Sequence, residues 1–205
     1  MKKLIWLISL ILVSKLGFAQ KGQHAIGLQL GANMASEDIG RKFNEFGPAY
    51  SYFGGLYYDW NFSRQFGISF SPSQRVQKYN GYSSCFVCLE STEVTYSYYF
   101  LDLPVNVTLN LSNKETASWK TYLVAGYTFN RLLWATMREK DTGKVTPQEL
   151  RWQLRNISLV NFGFEIRHNL NDNFTLAISP NARIQVSEEV GSPFVGLSFK
   201  FGHIL

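Results

Sequence analysis

The sequence predicts an all-β chain, eight antiparallel strands closed into an up-and-down transmembrane β-barrel, and three observations carry that prediction. Apolar and polar side chains alternate with period two over eight separate segments, the periodicity of strands with one apolar face. Long polar stretches and tight turns take turns between those segments, as in a barrel with loops at one end and turns at the other. Beyond the first twenty residues no run reaches the roughly 18 apolar residues of a transmembrane helix.

Composition narrows the choice in the same direction. Of 205 residues 17% are charged, against about 25% in ordinary soluble domains. Aromatic residues make up 16% of the chain, yet the mean hydropathy of −0.11 is too polar for a bundle of membrane helices. A hydrophobic fraction of 45% excludes intrinsic disorder, and two cysteines cannot build a disulfide scaffold.

Lys2 and Lys3 precede an apolar run from Leu4 to Val13 broken only by Ser9, and Leu16-Gly17-Phe18-Ala19-Gln20 follows. This is the order of a secretory signal peptide over residues 1–19, cleaved after Ala19, and the run is shorter than the roughly 20 residues of a membrane anchor. No cysteine follows the cleavage site, so a lipid-anchored product is not expected. Lys2, Lys3 and Lys15 supply three of the five net positive charges, so the basicity lies largely in the leader and no nucleic-acid partner is expected. Residues 20–205 then form one barrel domain.

The first strand sets Ile26, Leu28, Leu30 and Ala32 against Gly27, Gln29, Gly31 and Asn33. Tyr52, Gly54, Leu56, Tyr58 and Trp60 form the apolar face of the second, and Phe66, Ile68, Phe70 and Pro72 that of the third. The fourth alternates most strictly, with Leu101, Leu103, Val105, Val107 and Leu109 against Asp102, Pro104, Asn106, Thr108 and Asn110. Leu123 to Phe129, Val160 to Ile166, Phe174 to Ile178 and Val195 to Phe201 complete the set. Long connections are expected over Ala35–Ala49, Tyr79–Ser91 and Ala135–Gln153, short ones over Asn61–Arg64 and Asn169–Asn173. Eight strands leave about 23 residues for each strand with its connection, and membrane strands need roughly 9 to 11. Sixteen strands would leave almost nothing for connections, which excludes a wide porin.

Alternation alone does not say which face points outward, and a soluble lipocalin-like periplasmic carrier is also an eight-stranded barrel, with its apolar face inside. The polar face here carries Asp59, Asp102, Glu165, Arg167, Arg183 and Lys200, and aromatic residues gather toward the strand ends as an interfacial girdle requires. The chain closes with Phe194-Val195-Gly196-Leu197-Ser198-Phe199-Lys200-Phe201, in which Gly196, Phe199 and Phe201 resemble the final-strand signal read by the barrel assembly machinery. The expected location is therefore the bacterial outer membrane, with its lipid and lipopolysaccharide as surroundings.

Tyr99-Phe100-Leu101-Asp102-Leu103-Pro104-Val105 resembles a segment that recurs in the PorT-like outer-membrane β-barrel family of Bacteroidota: an aromatic, Leu, an acid, an aliphatic residue and Pro. Tyr122-Leu123-Val124-Ala125-Gly126-Tyr127, and an opening strand with Gly27 and Gly31 after a leader ending in Ala19-Gln20, are similar as well. The resemblance spans residues 20–205 and implies an outer-membrane barrel. The family's namesake takes part in type IX secretion and gliding-associated export, so a role in protein export or surface assembly, with an envelope protein as partner, is what the resemblance implies.

Asp59, Asp102, Glu165, Arg167, Arg183 and Lys200 are expected to pair inside the lumen, because an unpaired buried charge is costly and eight strands enclose space just wide enough for side chains. The interior is then a charge-paired plug. His24, His168 and His203 fall at the turn end on the apolar-face parity, where packing at the interface accounts for them. No nucleophile with its base can be assembled at the loop end, so the chain is read as non-enzymatic and without a cofactor; a lipid-modifying outer-membrane enzyme is the alternative class. Cys85-Phe86-Val87-Cys88 offers two of the four ligands of a structural zinc site, so a disulfide is preferred to a metal. The third long stretch carries Arg138, Trp152 and Arg155, the first candidates for recognition of a partner. Within it Thr146-Pro147-Gln148-Glu149 has the form of a helix capping box, and Leu150, Trp152 and Leu154 equally fit an extended strand.

Overall fold

The computed structural model describes residues 23–35, 50–84, 91–112, 118–148, 156–186 and 193–205. The leader and Cys85 and Cys88 lie outside them, as do Trp152 and Arg155. The ten strands are β1 (Gln23–Ala35), β2 (Tyr50–Asn61), β3 (Phe66–Phe70), β4 (Ser73–Ser84), β5 (Ser91–Asn110), β6 (Trp119–Glu139), β7 (Val145–Gln148), β8 (Asn156–Asn169), β9 (Phe174–Gln185) and β10 (Phe194–Ile204).

These strands occupy eight positions of one closed antiparallel ring. β3 and β4 follow one another along the same side of β5, and β7 and β8 both pair with β6. β10 pairs with β1 from Ala25↔Ile204 to Ala35↔Phe194, so the first and last strands close the sheet and no edge remains along the barrel wall. Pro72 and Ser71 fall at the break between β3 and β4, where the ladder is kept by Leu56 N–H donating to Pro72 O at 3.0 Å and Ser71 N–H to Pro104 O at 3.2 Å. Side-chain parity survives the break: Ser69, Ser71, Ser73, Arg75 and Gln77 are all buried on the lumen side.

Burial is inverted relative to a soluble domain. Among the described residues 21 buried side chains are polar or charged and 11 apolar, while 35 large apolar side chains are exposed. Leu28, Leu30, Leu56, Phe162, Phe164, Phe199 and Phe201 belong to the exposed set, spread around the wall. The direction of the apolar face is thereby settled as outward, and among the described residues the lumen side is lined mainly by polar and charged side chains. Two rings enter the lumen where a neighbouring glycine leaves room. A Cβ on Gly31 would collide with the Phe53 ring, and one on Gly202 with Tyr57, so these glycines admit the two large side chains.

Short turns at one end are built by local side-chain bonds. Ser63 Oγ accepts from Phe66 N–H at 2.8 Å, and Asn171 Oδ1 accepts from Phe174 N–H and Asn173 N–H, both at 2.8 Å. The aromatic girdle of this turn end includes all three histidines. Trp119 stacks on His168 at 4.3 Å, His24 Nδ1 lies 2.7 Å from the Tyr58 hydroxyl, and Phe174 meets His203 edge-on at 5.3 Å.

The loop end departs from the sequence reading in two places. Much of the expected Tyr79–Ser91 connection is strand, because β4 continues to Ser84 and β5 starts at Ser91 in unbroken register. The expected Ala135–Gln153 connection is likewise strand in part: β6 runs to Glu139, a turn with Gly143 at φ 68° reverses the chain, and β7 returns along β6. Thr146-Pro147-Gln148 is therefore paired strand rather than a capped helix, since the edge of β6 supplies hydrogen bonds that an isolated helical turn lacks. β5 and β6, at 20 and 21 residues, rise far beyond the roughly 9 to 11 residues that span a bilayer. With β4 and β7 they form a sheet that stands above the wall. Its base is marked by a β-bulge at Leu133, where Tyr99 opposes Trp134 and Phe100 opposes Leu132.

Candidate functional site

Two ionic clusters occupy the lumen, one toward each end. Nearer the turn end, β2 contributes Asp59, β8 contributes Glu165 and Arg167, and β10 contributes Lys200. Lys200 Nζ lies 2.8 Å from Glu165 Oε2 and 3.4 Å from Asp59 Oδ1, and Arg167 bridges Glu165 and Asp59 through Nη2. Lys200 Nζ also donates to Ser69 Oγ at 3.3 Å. The rings of Tyr122 and Tyr57 lie 4.8 Å from the Arg167 guanidinium carbon and 5.0 Å from Lys200 Nζ. Two carboxylates and two cations balance, and each is at least nine-tenths buried.

The second cluster centres on Asp102 of β5, which is fully buried. Arg75 Nε of β4 donates to its Oδ2 at 2.8 Å, Arg183 Nη1 of β9 to the same oxygen at 3.3 Å, and Asn130 Nδ2 of β6 to Oδ1. Arg75 further donates to Gln77 Oε1, and Gln77 Nε2 donates in turn to the Tyr79 hydroxyl oxygen. The Arg75 guanidinium lies 4.3 Å from the Phe100 ring centre, and that of Arg183 4.9 Å from Phe53. Here two guanidiniums share one carboxylate.

Asp59, Asp102, Glu165, Arg167, Arg183 and Lys200 are thus all inward-facing, but the structure divides them between two clusters instead of one network. Pro104 is buried on the same side. Arg75 is the partner the sequence reading missed. The apolar face of the third segment carries no signal beyond Pro72, although Ser69, Ser71, Ser73, Arg75 and Gln77 continue one inward parity across that proline. Gly196 faces inward against Asn33, and Phe199 and Phe201 face outward, about half exposed. Arg138 sits on β6 opposite Val145 and Thr95, on a strand and not in a loop. Among the described residues no group of three His, Cys, Asp or Glu converges as a metal site would require.

Between the clusters lies a chamber of about 40 Å³, lined in part by Gln29, Asn161, Asn181, Arg183, Glu165 and Lys200 together with apolar Pro104, Val124 and Phe162. A smaller space of about 10 Å³ near the turn end is lined by Lys120, Tyr122 and Arg167 among others. Both clusters stand across the lumen, so a solute meets paired charge on either side of the chamber.

A closed antiparallel ring with an apolar outer band and an ionic interior defines a small transmembrane β-barrel. Comparison with solved structures agrees on the fold. The outer membrane protein OprG of Pseudomonas aeruginosa superposes with a TM-score of 0.54 at 8% identity, over 91% of this chain and 97% of that one. Ail, the attachment invasion locus protein of Yersinia pestis, gives 0.49 at 11% identity over 91% and 100%. Neisserial surface protein A gives 0.49 at 10% identity over 91% and 99%. No family model and no curated protein sequence matches the chain.

Proposed function

We propose that this chain is an integral outer-membrane barrel with a closed lumen, a non-enzymatic envelope component that works through the sheet above its wall as a scaffold for an envelope protein. The inversion of burial carries the reading: only lipid stabilises 35 exposed large apolar side chains while ion pairs fill the interior. The resemblance of Tyr99–Val105 to PorT-like proteins supports a place in protein export of the type IX kind or in surface assembly. The β4–β7 sheet supports the scaffold role, because its paired strands carry Arg138 and the Lys140–Glu93 pair beyond the length that spans a bilayer.

Photo-crosslinking from position 138 in intact cells tests the scaffold reading. A discrete protein adduct that is absent when the crosslinker is placed at the lipid-facing Phe164 supports it; lipopolysaccharide as the sole adduct at position 138 contradicts it. Planar-bilayer recording tests the closed lumen. The two clusters predict no stable conductance, and steady nanosiemens steps would refute the plug.

A further inference from the structure

Among the described residues the lumen charges do not cancel. The turn-end cluster is neutral, whereas Arg75 and Arg183 face the single carboxylate of Asp102, and all three are buried. Arg183 donates to Asp102 at 3.3 Å and lays its guanidinium 4.9 Å from the Phe53 ring centre, and it also lines the chamber between the clusters. An uncompensated buried cation is strongly unfavourable, so the fold requires a counter-charge from elsewhere. Glu165, the other acid at the chamber, is already engaged by Lys200 and Arg167.

The chamber beside Arg183 has the size and lining to supply that charge. About 40 Å³ admits roughly three water-sized spheres, room for a halide with a water. Gln29 projects into it with only 7% of its surface exposed and its Oε1 unpartnered. Since amide O and N exchange by a half-turn of the side chain, Gln29 can present its NH₂ to an anion. Ser179 and Ser198 add hydroxyl groups to the lining.

We propose that this chamber is a binding site for a small monovalent anion of the chloride class, held by Arg183 and Gln29 as the counter-ion of the Arg75–Asp102–Arg183 cluster. The anion is a resident of the lumen and does not pass through it, since the clusters close the path on both sides. The site rests on the interior of the barrel alone and is independent of any surface partner.

Crystals of the detergent-folded protein grown in bromide, with anomalous diffraction, test this directly. A bromide peak in the chamber within hydrogen-bonding reach of the Arg183 guanidinium is expected. A chamber that holds only water at saturating bromide would overturn the site. In solution, the urea midpoint should rise saturably with chloride and not with gluconate at constant ionic strength. Arg183→Gln keeps the Arg75–Asp102 pair and leaves that cluster neutral, so it should fold and need at least about tenfold more chloride for half its effect. Asp102→Asn adds a net positive charge and should shift the dependence the opposite way. Chloride dependence equal in wild type and Arg183→Gln contradicts the proposal.

Discussion

Arg167 shows what a single buried charge means in this interior. It holds both Asp59 and Glu165, so Arg167→Met would leave two buried carboxylates on Lys200 alone. Losing one member of a buried ionic group costs about 3–5 kcal/mol, and urea unfolding of the protein in lipid vesicles should show a loss of that size. Lys140 and Glu93 approach equally closely, at 2.6 Å, but both are about half exposed. Solvent screening leaves such a pair about 0–1 kcal/mol, so Lys140→Ala should barely move the same midpoint. Equal losses in the two variants would mean that the lumen is open to water. Gly31 makes the complementary point about volume: Gly31→Leu drives a side chain into the Phe53 ring, and gel electrophoresis should show loss of the folded form.

At the scale of the element, the bulge at Leu133 separates what the sequence states from what it conceals. Period-two alternation located the apolar faces of the strands that cross the wall, because each such face meets lipid and leaves an uninterrupted signal. Above Phe100 the bulge sets Leu133 and Trp134 side by side outward, and Thr92, Glu93, Thr95 and Ser97 are interspersed with Val94 and Tyr96, so the strict apolar–polar contrast of the wall is lost and strand and loop read alike. The upper part of β4 is hard to read for a related reason: Pro72 ends the apolar alternation while the inward parity runs on to Arg75 and Gln77. The ionic residues were legible as a set from parity, yet their division into two clusters depends on strand stagger, which no periodicity records. Deleting Leu133 restores strict alternation and turns no side chain inside out, so the variant should keep the folded form on a gel. Deleting Ala125, inside the wall, inverts every side chain on one half of β6 and should abolish it.

The whole molecule is an apolar cylinder with an ionic axis and a sheet raised at one end. Leu30, 65% exposed near the middle of β1, distinguishes lipid from water as its surroundings. An arginine at a lipid-facing midplane position costs about 2–4 kcal/mol, whereas an exposed soluble surface tolerates it within about 0.5 kcal/mol. Leu30→Arg should therefore lower vesicle stability by the larger amount. The central claim, that the barrel is closed and lies in the outer membrane with its apolar face outward, has its most direct test in fractionating cells and running the outer-membrane fraction on a gel with and without boiling. The account predicts recovery in that fraction and a mobility that changes only after boiling, because a closed barrel resists detergent until heated. Recovery in the soluble periplasm, with the same mobility before and after boiling, would contradict it.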